Sequence, residues 1–243
     1  MSKKKYGEEV YYSQPTNNEL VKKARSAAEK AAKKGKTLNP VIITGNKIAK
    51  SWWGIAWCHN LEKYADYESR LPRGKRYVKL GSVVDLQIDK GKINAKVQGS
   101  RKTPYKVEIR INPLSEQQTE NITAKCGLKV ENLNKLISGD FPAELKDVFI
   151  GEDGLFPKPG EISFNCSCPD WAYMCKHVAA VLYGVGARLD EDPMLFFSLR
   201  GIDTNRFVDV VIANRTEMML ENINKPSKRI LSDVDLSEVF GVL

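Results

Sequence analysis

The sequence has no apolar run of the roughly 18 residues that a membrane-spanning helix needs, and no apolar stretch follows its lysine-rich start, MSKKKYGEEVYY. Neither membrane insertion nor secretion is expected, and a cytoplasmic location is. Cysteine is sparse: five residues, an odd number, do not make a disulfide framework. Histidine is sparser still, with two in 243 residues, which leaves little imidazole for acid–base chemistry. A glycine-rich phosphate loop is missing, since Gly74-Lys75 lacks both the preceding glycine and the following Ser or Thr of that motif. Cys58 beside His59 is the one tempting nucleophile–base pair. Adjacent side chains on a helix diverge by about 100°, so their contact is not expected. These absences argue against an enzyme with a small-molecule substrate.

What is present is charge of one sign, unevenly placed. Residues 1–50 hold twelve Lys or Arg against four Asp or Glu, and residues 51–110 hold thirteen against six. The remaining residues are net acidic, although the whole chain carries +8. A basic half followed by an acidic half suits an anionic partner on one side, with DNA the leading candidate, and a different partner on the other.

Periodicity divides the chain. Residues 1–40 read as a basic arm, partly disordered or an exposed helix. Thr16 and Glu19 have capping-box spacing ahead of an alanine-rich stretch that Gly35 would stop. Residues 41–160 read as an α+β domain. In it Trp53, Ala56, Trp57, Leu61 and Tyr64 recur at helical intervals. Between Tyr77 and Leu114 the period falls to two: Val84, Leu86, Ile88, then Ile93, Ala95, Val97, then Tyr105, Val107, Ile109, Ile111. Three strands of an antiparallel meander follow from that pattern, with a tight turn at Asp89-Lys90-Gly91. Helices are expected near 115–126, 130–138 and 142–149, then again at 188–218. Residues 219–243 read as a linker and short terminal helix, on which Leu236, Val239, Phe240 and Leu243 form an apolar stripe for a partner's groove.

Residues 166–177, CSCPDWAYMCKH, concentrate the chemistry. Cys166, Cys168, Cys175 and His177 supply three thiolates and an imidazole, a complete tetrahedral set for one zinc ion. Cys166 and Cys168 stand two apart on an extended segment and point to one side. Cys175 and His177 cannot both lie inside one helix and share a metal, so a helix is expected to begin around His177. Four ligands leave no open position, and the zinc is accordingly structural. The expected module, at residues 161–187, is small and ββα-like.

This arrangement resembles the SWIM zinc finger. The flanking segments WWGIAW, RGKRYVKLGSVVDLQI, VQGSRKTPYKVEI, DPMLFFSLRG and LSEVFGVL resemble the bacterial and archaeal SWIM proteins that accompany Swi/Snf-type helicase-like ATPases. The resemblance covers roughly residues 40–243 and implies a module that binds DNA or protein in the service of such an ATPase. On this reading Arg73, Lys75, Arg76, Arg101 and Lys102, on loops flanking the meander, contact phosphates together with Lys176. Such contacts give affinity with little sequence choice. The alternative is a protein-interaction adaptor with no direct DNA contact.

Overall fold

The computed structural model describes residues 14–129, 141 and 143–222. The helix expected at 130–138 and the stripe of Leu236, Val239, Phe240 and Leu243 lie outside the described residues. In chain order the elements are α1 (Asn17–Ala32), α2 (Trp52–Glu62), α3 (Arg70–Lys79), β1 (Val83–Asp89), β2 (Lys92–Val97), β3 (Tyr105–Ile111), α4 (Glu116–Lys129), α5 (Lys146–Ile150), β4 (Ile162–Cys166), α6 (Lys176–Glu191), α7 (Leu195–Leu199) and α8 (Thr204–Asn222).

The α+β class and the antiparallel meander are borne out, but among the described residues the sheet has four strands rather than three, in the order β1-β2-β3-β4. The turn between β1 and β2 falls at Lys90-Gly91, with Gly91 at φ +65°, where a side chain would be strained. The extra strand comes from the segment leading into the cysteines. Val107, Ile109 and Ile111 of β3 pair with Cys166, Phe164 and Ile162. The finger is therefore an extension of the main sheet. On β3 the residues alternate strictly, with Tyr105, Val107, Ile109 and Ile111 buried and their neighbours turned outward. This period-two pattern puts one face of the sheet into the core.

Against that face lies α6, buried almost from end to end between His177 and Leu189. Its small residues set how closely neighbours approach. A Cβ on Gly184 would sit 3.1 Å from Val41 and 3.6 Å from Leu86 of β1, whereas one on Gly186 would meet Cys58 Sγ at 2.7 Å. Positions two apart on a helix face opposite ways, so α6 runs between the sheet and α2. The tryptophan helix binds it further, because Trp57 Nε1 donates to the Leu182 carbonyl at 3.0 Å and Trp53 Nε1 to that of Leu189 at 2.8 Å. Ser51 caps α2 by accepting from Gly54 N, and its hydroxyl donates to Asp190 of α6. Trp57 is 1% exposed. Burying a ring of that size is worth about 4–6 kcal/mol at the usual area coefficient.

Two expectations need correction. Arg73, Lys75 and Arg76 lie on α3, not on a loop, and Tyr77 belongs to the same helix. Pro72 falls in the first turn of α3, where its missing N–H would have had no helical partner. Gly74 is required by packing, since a Cβ there would lie 2.6 Å from Ala179 Cβ and 3.0 Å from the backbone of α6. The arm, too, has a buried face. Its capping box forms at Thr16 and Glu19, and Leu20 and Ala24 are buried against the body of the protein.

Replacing glycine by alanine in a helix ordinarily gains up to about 1 kcal/mol. Gly74→Ala should instead cost about 1–3 kcal/mol, because α3 and α6 must separate. Chemical denaturation measures this, and an unchanged or raised midpoint would show that the crossing is looser than the structure has it.

Candidate metal centre

Cys166 closes β4, Cys168 lies in the turn beyond it, Cys175 is the N-cap of α6 and His177 stands in that helix's first turn. Their ligand atoms all fall within 4.8 Å of one another. His177 Nδ1 is 3.9 Å from both Cys166 Sγ and Cys175 Sγ, so Nδ1 is the nitrogen that faces the sulfurs. A tetrahedral zinc with Zn–S near 2.3 Å and Zn–N near 2.0 Å spaces its ligand atoms about 3.5–3.8 Å apart. The cluster therefore fits zinc once its widest pair, within 4.8 Å, closes by about 1 Å.

Charge supports the same ion. Hydrogen bonds from the Cys166 and Cys175 thiols stabilise a thiolate at Cys168 and lower its pKa, while those contacts and burial push Cys166 up. Three thiols in one enclosed corner can all ionise only around a cation. Burial lowers the His177 pKa and keeps the ring neutral, the form that ligates metal.

The ligands are held from several sides. Ser167, between the first two cysteines, is fastened to β3: its Oγ accepts from Lys106 N at 2.9 Å and its N–H donates to the Lys106 carbonyl at 3.0 Å. Asp170 accepts from Arg70 Nη2 at 3.1 Å, joining the finger loop to α3. Asp66, before α3, accepts from Tyr173 N at 2.7 Å and Met174 N at 3.0 Å. The His177 ring stacks on Tyr105 with centroids 4.1 Å apart and meets Tyr77 edge-on at 5.5 Å. Gly99 admits the ring pair, since a Cβ there would lie 2.7 Å from Tyr105 and 3.1 Å from His177 Nε2.

The basic residues named from sequence divide into two groups. Arg76 donates to Asn17 Oδ1 at 2.7 Å and to the Pro15 carbonyl at 2.6 Å, bringing α3 to the start of α1. Lys23 of α1 donates to the Ser100 carbonyl at 2.7 Å, and Arg101 reaches the Ser167 carbonyl at 3.4 Å. Arg76, Lys23 and Arg101 thus form a chain of contacts ending on the finger, with exposed Lys102 beside Arg101 and Lys176 in the first turn of α6. Arg73 lies one turn before Arg76 on α3. Lys75 does not join them. It faces α2 and α6, pairs with Glu62 at 2.7 Å and lies over the Tyr183 ring at 5.2 Å.

Sequence reasoning passed over Tyr77, Tyr105, Asp66 and Arg70 as parts of the centre. Nothing in their local pattern marks them, because each reaches the finger from a distant segment. Cys58 and His59 show no pairing among the described residues. Burial pushes the Cys58 thiol up to about 12, and His59 lies 3.5 Å from Glu62.

Zinc analysis of single substitutions should find about one ion per chain in the native protein, and loss of it in Cys168→Ser or His177→Ala. Cys126→Ser should keep its zinc, although a hydroxyl at that fully buried position lowers stability. Acidification should release the ion as protons compete for the sulfurs and the imidazole. Full zinc in Cys168→Ser would contradict the ligand set.

A comparison with protein families matches residues 148–185 to the SWIM zinc finger. The chain is also similar to the uncharacterized protein Rv2102 of Mycobacterium tuberculosis, with 36% identity over 176 residues. That alignment covers 72% of this chain and 63% of the relative, so the chain spans somewhat under two thirds of that protein's length. No solved structure matches. Among the described residues no helix is long and apolar enough to cross a membrane. A Cys₃His cluster of zinc-fitting geometry, falling where the family match falls, makes residues 148–185 a SWIM zinc finger that holds one zinc ion.

Proposed function

We propose that this protein binds nucleic acid through the basic face around its SWIM finger and serves as an accessory subunit of a Swi/Snf-type helicase-like ATPase. The observation that carries the reading is the chain of contacts from Arg76 through Asn17, Lys23 and Ser100 to Arg101 and Ser167. Cations from α3, α1 and the β2–β3 loop gather there beside one rigid metal knot. The helicase-like partner rests on the resemblance of the flanking segments. The zinc supplies shape, because three sulfurs and a nitrogen complete its coordination and leave no place for a reacting water. The role is one of binding rather than catalysis, in a cytoplasmic, nucleoid-associated protein.

A second reading, an adaptor that contacts only protein, draws on α8, where Met219 and Leu220 are exposed. Salt separates the two, since phosphate contacts release counterions and apolar contacts do not. With about four to six phosphates neutralised, log affinity for duplex DNA should fall against log salt with a slope of roughly −4 to −5. Arg101→Ala or Lys102→Ala should each shallow the slope by about one. Lys75→Ala should leave it unchanged, its charge being spent on Glu62. Anisotropy titrations at several salt concentrations measure this, and absence of binding would transfer the proposal to the adaptor. Co-purification from native cells with an ATPase of that class tests the partner.

A further inference from the structure

Among the described residues one tryptophan serves neither the core nor the metal centre. Trp171, between Cys168 and Cys175, is 81% exposed, whereas Trp53 and Trp57 of α2 are 9% and 1% exposed. It does not cover the metal: the His177 side of the cluster is walled by Tyr105 and Tyr77, and Trp171 sets its edge against Tyr67 at 5.4 Å. Tyr67 is itself 40% exposed, and the Arg70 guanidinium lies 5.8 Å from its ring.

The ring is mounted on a fixed support. Zinc ligands stand three residues before it and four after, Asp170 is tied to Arg70, and Asp66 holds the amides of Tyr173 and Met174. A platform ordered in advance loses little freedom when something stacks on it. The surrounding charge is mixed. Asp170 is paired with Arg70, whereas Asp66, which accepts only backbone N–H bonds, and the exposed Glu68 of the Tyr67 turn keep their negative charge. Arg101 approaches the same loop at Ser167, and Arg73 lies one turn along α3 from Arg70.

We infer that Trp171 is a stacking platform for an unpaired base, so that the nucleic acid taken by this face is single-stranded. The inference rests on the nucleic-acid reading above and narrows it. Inside a duplex each base face is covered by its neighbours. An unpaired base offers its face to a protruding indole, while its phosphates meet the cations of the basic face.

The test uses the full-length, zinc-loaded protein with a labelled 20-nucleotide oligothymidine and a duplex of equal length. Trp171→Ala should weaken oligothymidine binding about 5- to 150-fold, the range typical of one lost base–aromatic stack. Duplex binding should change less than about twofold, and Trp171→Phe should recover most of the loss. Zinc content and melting temperature should be unchanged, as the ring is mostly in solvent. Oligothymidine should also quench tryptophan emission in the native protein but not in Trp171→Phe.

Wild-type binding of oligothymidine by Trp171→Ala, with weakening in Arg101→Ala, would overturn the inference and leave the nucleic-acid reading standing. An equal loss on duplex would overturn it in favour of insertion into a groove. No binding of either nucleic acid by the native protein would overturn both readings and assign the ring to a protein partner.

Discussion

Burial of α6 on nearly every side is the constraint to which the other elements answer. A helix enclosed between a sheet and two further helices has no solvent face, so its neighbours must come close, and they do so where side chains are smallest. Gly184 faces the sheet, Gly186 faces α2 and Ala179 faces Gly74 of α3. Interiors of this density leave little slack at such crossings. The same enclosure explains the tryptophans of α2, whose rings fill the core while two of their N–H groups reach carbonyls of α6.

The N-terminal end of α6 is where the metal enters. Among the described residues no side-chain hydrogen bond caps it, and Cys175 occupies the N-cap position. The Cys166 thiol and the Val178 N–H favour a thiolate there, but the Cys168 contact and burial push the Cys175 thiol up to about 11, so its ionisation calls for a cation beside it. Zinc then joins this end to the last residue of β4, and through β4 to the whole sheet. Fold and finger are thus one construction: the sheet supplies a strand and the Tyr105 wall, α3 supplies Tyr77 and Arg70, and the metal locks the corner. Such a finger has much of its support outside its own twelve-residue motif.

How much of this was legible follows from where each constraint resides. The four ligands could be read because soft and borderline donors at that spacing have a single economical use. The meander could be read because its faces differ in polarity at every second residue. The helical nature of α3 could not, since Pro72 and Gly74 look like breakers until Ala179 stands opposite, more than a hundred residues later. The pairing of β4 with β3 was hidden likewise, because EISFNC shows an extended segment without showing its neighbour. Arg76 and Arg101 can be read from sequence as cations, but their convergence depends on α1 bridging them. Lys75 looked equivalent to Arg76, and only the helical turn of about 100° per residue separates their directions.

The order of the chain gives the enclosure of α6 a consequence for biosynthesis. The helices α2 and α3, with the first three strands, leave the ribosome well before residues 162–191, which bring β4 and α6. Until those residues emerge, Trp53, Trp57, Tyr77 and Val78 lack the cover that α6 gives them, and β3 presents an unpaired edge. A nascent chain halted between residues 112 and 161 would expose an adhesive surface and an open strand together. Cover for those side chains, closure of that edge and capture of the metal all wait on the same thirty residues.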